Sequence, residues 1–175
     1  MSPLKTPNQA DDTTRLASIL AQLDGPRKVL ELGCGAFAGA LKIYSRGSEM
    51  FLLGMDRDPQ RLSQAHPQVP DAWFLQADIT SLPLSLTYRF DLVVVRHPDI
   101  DRDPGEWRSS LAAAPGFLAT SGWLVVTTYS AAELEQIRGW LSLTELRNFP
   151  LDTHRLAAPG LQGRDAFVMC WNLSA

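Results

Sequence analysis

Two glycines one residue apart follow directly on a short apolar run, Val29-Leu30-Glu31-Leu32-Gly33-Cys34-Gly35. Lacking a Cβ, glycine lets the chain turn sharply and lets its backbone lie against a ligand. Glu31 stands two residues before Gly33; a carboxylate there suits an ammonium group, directly or through water, better than a pyrophosphate. Two further acids close apolar runs. Asp56 follows Met50-Phe51-Leu52-Leu53-Gly54-Met55 and can accept both hydroxyl protons of a ribose, while Asp78, in Gln76-Ala77-Asp78-Ile79, can accept from an adenine amino group as Ile79 offers the ring an apolar surface. Together these residues describe a site for an adenosine with a cationic tail. Taken singly, each has a plainer reading: the glycines as a turn, Asp56 as a helix N-cap, Asp78 as a turn cap.

A fourth apolar run ends in Arg96-His97-Pro98-Asp99. His97 is the candidate general base, since histidine most often takes that role; a loop histidine without chemistry is the competing reading. Arg96 can bind an anionic group or support the loop. The neighbours Asp99, Asp101, Arg102 and Asp103 read equally well as a solvated loop with mutual ion pairs. Cys34 fits a packing role in the glycine loop, where a small side chain is needed. The second cysteine, Cys170, is distant, so neither a disulfide framework nor zinc spacing is present. His66 and His154 read as surface or turn residues, and Trp107, Trp123 and Trp140 as core.

These residues need a frame that brings strand ends together. Apolar positions Leu16, Ile19, Leu20 and Leu23 predict an amphipathic helix from about Asn8, stopped by Asp24-Gly25-Pro26. Strands are expected from Lys28, over Met50 to Met55, at Trp73 to Leu75, Phe90 to Val95 and Gly122 to Thr128. Helices are expected between them at Ala36 to Ser45, Pro59 to about Ala65 and Pro104 to about Ala119, the last interrupted at Pro115-Gly116. The β-branched run of the fourth strand places it at the sheet centre, buried on both faces. Ser130 and Glu133 form a capping box for a helix to about Leu141. Two last strands, Leu143 to Phe149 and Asp165 to Trp171, have only a Pro/Gly-broken segment between them and predict an antiparallel hairpin. The fold class is therefore α/β: a Rossmann-like, doubly wound, mostly parallel seven-stranded sheet with a C-terminal antiparallel hairpin. In such sheets ligands bind beyond the carboxyl ends of the strands.

The 175 residues suit one domain, with residues 1–24 as an N-terminal helix and 28–172 as the core, and the 45% hydrophobic content suits a globule with a full core. A net charge of -3 without a Lys/Arg stripe disfavours capture of nucleic acid or an anionic membrane. The N-terminus shows no apolar leader, and no stretch approaches the about 18 apolar residues of a membrane span. A cytoplasmic location is the resulting expectation.

On the segments quoted, from Val29-Leu30-Glu31-Leu32-Gly33-Cys34-Gly35 through Gly54-Met55-Asp56 and Gln76-Ala77-Asp78-Ile79 to Phe90-Asp91-Leu92-Val93-Val94-Val95, the chain resembles the class I S-adenosylmethionine-dependent methyltransferases. The resemblance covers about residues 27–172 and includes the closing hairpin. It implies that Gly33 and Gly35, with Glu31 and Cys34, meet the methionine part of S-adenosylmethionine. Asp56, with Arg57, meets the ribose; Asp78, with Ile79, meets the adenine. Arg96 borders the same site, and His97 faces the acceptor. The family often has a third glycine where this chain has Phe37, so a ring that crowds the loop or packs beneath the cofactor is expected there. The implied activity is methyl transfer to a small-molecule acceptor, with a protein substrate or partner as an alternative. No Asn-Pro-Pro-Tyr stretch follows the fourth strand, which disfavours amino methylation of nucleic acid. Two other readings stay open: a non-catalytic binding or scaffold module of the same fold, and an NAD(P)-binding oxidoreductase. The latter is possible because Gly33-x-Gly35-x-x-Ala38 also satisfies a dinucleotide fingerprint.

Overall fold

The apolar runs become strands in the computed structural model, which describes residues 16–17, 19–23, 25–45, 50–81, 89–144, 147–149, 165 and 167–173. The strands are β1 (Lys28–Leu32), β2 (Phe51–Asp56), β3 (Trp73–Gln76), β4 (Phe90–Arg96), β5 (Leu118–Thr128), β6 (Arg147–Phe149) and β7 (Phe167–Asn172). They form one sheet in the order β3-β2-β1-β4-β5-β7-β6. The first five run parallel, and β7 lies antiparallel between β5 and β6. The fourth strand takes the centre, with Leu92, Val93, Val94 and Val95 fully buried, as its unbroken apolar run requires. The order in which strands are added turns back between the parallel neighbours β1 and β4, and this is where a doubly wound sheet opens a crevice at its carboxyl edge.

Among the described residues, the helices α1 (Gly39–Tyr44), α2 (Pro59–Ala65), α3 (Pro104–Ala113) and α4 (Ala131–Leu141) cover the sheet. On one face Leu16, Ile19 and Leu20 of the N-terminal helical segment join Leu41 and Leu62 against Val29, Leu92 and Val94. On the other, Leu111, Ile137 and Leu141 pack against Leu30, Val93 and Val95. Each such side chain, once fully buried, contributes about 1.5–3 kcal/mol. A six-residue helix such as α1 does not form alone, so these layers hold it. Among the described residues, no helix is long and apolar enough to cross a membrane.

Several boundaries differ from expectation. The loop after β1 runs on to Ala38, whose φ of 42° is left-handed, so α1 starts at Gly39 rather than Ala36. Helix α3 stops at Ala113; Ala114–Phe117 is a 3-10 turn at Pro115-Gly116, and β5 begins at Leu118, well before Gly122. The register of β5 against β4 shifts between Phe90 and Leu92, and this irregularity hides the strand's first residues from a period-two pattern. The N-cap of α2 is Asp58, which accepts from Gln60 and Arg61 N–H; the Asp56 carboxylate is thereby left for other work. The Ser130–Glu133 capping box forms as expected. Leu143 and Thr144, expected to open the sixth strand, instead lie in the turn that follows α4, with Thr144 bonded back to Leu141 O, and the strand is Arg147–Phe149; His154 and most of the expected N-terminal helix lie outside the described residues.

Candidate functional site

Two bonds tie the glycine loop to the end of β2, and a third, from Ala38 to Cys34, closes the loop on itself. Cys34 N–H donates to Met55 O (2.9 Å), Ala38 N–H to Cys34 O (3.1 Å), and Gly35 N–H to Asp56 Oδ2 (2.9 Å). Gly33 and Gly35 have φ of 66° and 59°, the left-handed region that glycine enters without strain. A Cβ on Gly33 would also meet the Trp107 ring at 3.0 Å. The Phe37 ring, 47% exposed beside Lys42, stands outward and does not crowd the loop. The expectation drawn from the missing third glycine is thereby corrected, and with it one ground for a non-catalytic module.

Beyond these strand ends lies a cavity of about 160 Å³, roughly ten times what one water needs. Gly33, Asp56, Arg57, Asp78, Ile79, Arg96 and His97 border it; Glu31, Cys34 and Gly35 do not. Asp56 is buried, its Oδ2 bonded to Gly35 N–H and its Oδ1 to Asp58 N–H (2.9 Å). Each oxygen keeps a second lone pair for a ligand hydroxyl. Asp78 accepts from Thr80 N–H (2.8 Å) and Thr80 Oγ–H (2.7 Å), both on Oδ1. The two Thr80 bonds hold its carboxyl below the usual value, so it is an acceptor at neutral pH. It caps a turn and also faces the cavity.

Glu31 sits elsewhere than the resemblance implies. It is 1% exposed, and its Oε2 accepts from Ala40 N–H (3.1 Å) and Leu41 N–H (3.2 Å), the first donors of α1. Burial pushes its carboxyl up, against the pull of Arg96 and those two bonds. The acid therefore stands behind the cavity wall and makes no direct contact with a ligand in the cavity. Its position bears on the dinucleotide alternative: a pyrophosphate at a helix N-terminus needs the N–H groups that Glu31 already takes. Cys34 is buried, and desolvation raises its thiol far above the ordinary value, which suits packing better than nucleophilic chemistry.

Arg96 and His97, which border the cavity, form a desolvated cluster with the buried Asp165. Arg96 donates through Nε to Asp165 Oδ1 (3.2 Å) and through a terminal nitrogen to Asp165 Oδ2 (2.6 Å), the forked geometry of a strong ion pair. His97 Nε2 lies 3.0 Å from Asp165 Oδ1, and the imidazole stacks on Tyr129 with centroids 4.4 Å apart. Burial alone would raise the Asp165 carboxyl, but His97 and Arg96 outweigh it and hold it well below the carboxylate range. The guanidinium crosses Gly39, where a Cβ would come within 2.9 Å of Arg96 Cζ. Across the mouth, Arg57 pairs with Glu106 (3.1 Å) and Asp103 (3.6 Å).

Asp165, Tyr129 and Trp107 were not legible as site residues. Asp165 lies 69 positions from Arg96 and carries no motif. Trp107 reads as core and does pack against it, yet its ring also lines the cavity. The available signal for Trp107 was its place one turn into a helix that starts beyond a strand's carboxyl end.

A family model described as a methyltransferase domain matches residues 29–122. The chain is 38% identical over 76 residues to a trans-aconitate 2-methyltransferase of Methylobacterium nodulans, covering 42% of this chain and 30% of that protein. It is 30% identical over 135 residues to a malonyl-[acyl-carrier protein] O-methyltransferase of Enterobacter lignolyticus, covering 73% of this chain and 50% of that protein. The chain thus spans half the length or less of these curated relatives. Among solved structures, the N-methyltransferase NodS of Bradyrhizobium japonicum superposes with a TM-score of 0.71 at 18% identity, over 95% of this chain and 96% of that one. That likeness establishes the fold.

Proposed function

This chain belongs to the methyltransferase-domain family, and from that premise we propose that it is an S-adenosylmethionine-dependent methyltransferase acting on a small-molecule acceptor. The observation that carries the reading is the pairing of Asp56 and Asp78 at neighbouring strand ends around one cavity, with the α1 N-terminus already satisfied by Glu31. Acceptors without a phosphate-binding helix end suit an adenosine with a cationic tail and disfavour a dinucleotide. Residues 28–172 act as one catalytic domain.

The residues present fit the cofactor. Asp56 offers lone pairs on both oxygens to the ribose hydroxyls, Asp78 accepts from the adenine amino group, and Ile79 and Trp107 supply apolar surface. Gly33 lets the backbone approach the methionine part. When bound, S-adenosylmethionine supplies a sulfonium methyl, and its transfer to an acceptor atom breaks the carbon–sulfur bond with the electron pair remaining on sulfur. The protein's share is to align the acceptor with that methyl and to take its proton where the acceptor carries one. His97, at the cavity wall, is the proposed base. One curated relative is named for trans-aconitate and the other for a malonyl-[acyl-carrier protein], so free and carrier-borne small molecules are both acceptors to test.

The test incubates the protein with S-adenosylmethionine and a small-molecule cell extract and follows formation of S-adenosylhomocysteine. Turnover that falls by about 100-fold or more in His97→Gln supports the assignment. Full turnover in that variant removes His97 as the base, and no adenosylmethionine binding at millimolar ligand removes the whole reading.

A further inference from the structure

His97 is held more tightly than a loop histidine needs to be. Its backbone lies in the left-handed region at φ 49°, a strained conformation for a residue with a side chain, and its N–H donates to Thr127 O at 2.9 Å. One face of the ring rests on Tyr129, and one edge, Nε2, meets Asp165 at 3.0 Å. The Nδ1 atom is buried and has no hydrogen-bond partner among the described residues. Asp165 is itself 0% exposed, a burial that an ionised carboxylate tolerates only when paired, and Arg96 supplies that pair through two donors. The approach of Nε2 lacks the alignment of a straight hydrogen bond, which is common before a ligand tightens a site.

We propose that Asp165 is a positioning residue: it fixes the His97 tautomer with the proton on Nε2, facing the carboxylate, and leaves Nδ1 as the nitrogen able to accept a proton. The inference rests on the reading of His97 as the base. An ionised carboxylate can only accept, so it selects the Nε2–H form. Arg96 completes the arrangement, because its charge keeps Asp165 ionised and so keeps the proton on the ring. A carboxylate that merely ties the segment before β7 to the end of β4 would need Arg96 but would leave the imidazole free to take either tautomer.

The experiment reads ring-nitrogen chemical shifts in ¹⁵N-histidine-labelled protein bound to S-adenosylhomocysteine. The chain has three histidines, and His97→Gln identifies the signal. The wild type should show a protonated Nε2 and a bare Nδ1. In Asp165→Asn the amide can turn its own N–H toward Nε2, so the proton should shift to Nδ1. Turnover on the small-molecule extract should then fall by about 100-fold, with acceptor KM and S-adenosylhomocysteine affinity within about threefold of wild type. A wild-type ring protonated on Nδ1 overturns the proposal, and this holds even should the variant fail to fold. An unchanged tautomer or unchanged turnover in a folded Asp165→Asn also overturns it. Full turnover in His97→Gln instead defeats the earlier assignment of the base, and the two failures are thereby told apart.

Discussion

The two halves of the sheet's carboxyl edge meet at one cavity and are built on opposite principles. On the β1–β3 half the cavity-facing groups are carboxylates aimed by backbone donors of the adjoining loops: Gly35 and Asp58 for Asp56, Thr80 for Asp78. On the β4–β7 half, Arg96 and His97 share the buried carboxylate of Asp165, brought from the far end of the chain. An exposed acceptor such as Asp78 loses only a ligand when it is cut. A desolvated cluster loses folding free energy as well, because each charge left behind is buried without a partner.

That contrast is broken most directly at Arg96. Arg96→Ala takes the guanidinium away from two buried carboxyls, Asp165 and Glu31, and should cost about 3–5 kcal/mol of stability, read as a shift in the urea midpoint. A loss under about 1 kcal/mol, the range of an exposed pair, would show that this half is solvated after all. On the other half, Asp78→Ala should weaken S-adenosylhomocysteine binding by about tenfold, the worth of one hydrogen bond, and leave the urea midpoint near that of wild type.

The smallest effect concerns Glu31, which belongs to the first half by sequence and to the second by burial. Its carboxyl is raised in the folded state, so folding binds its proton more tightly. The stability it contributes is present below the ordinary value of 4.5 and is lost as pH rises through the folded value. Glu31→Gln keeps an acceptor for Ala40 and Leu41 N–H and does not titrate. It should lie within about 1 kcal/mol of wild type, with the variant gaining on wild type from pH 5 to pH 7 in chemical denaturation. Wild type gaining on the variant over that range would contradict the raised carboxyl.

What the sequence disclosed follows the same division. Asp56 and Asp78 were legible because each closes an apolar run, and a run's end in a parallel sheet is a place in space. The central position of β4 was legible because Leu92-Val93-Val94-Val95 can only be buried on both faces. Asp165 was not, since nothing local marks a carboxylate whose partners lie 69 residues away. Glu31 was placed on the right strand and given the wrong neighbour, because the donors that claim it lie at the start of α1, whose left-handed entry at Ala38 was read as helix. Local signals gave elements and strand ends; side-chain pairing across the sheet depends on register, which periodicity does not carry.

The central claim is that Asp56 and its neighbours hold an adenosine with a cationic tail and not a dinucleotide. Calorimetric titration of the wild-type chain and of Asp56→Ala with S-adenosylhomocysteine and with NAD tests it. The account predicts saturable binding of S-adenosylhomocysteine to wild type, a loss of about 100-fold in Asp56→Ala from two charge-assisted bonds, and no heat with NAD. Binding of NAD, or S-adenosylhomocysteine affinity unchanged by Asp56→Ala, would contradict it.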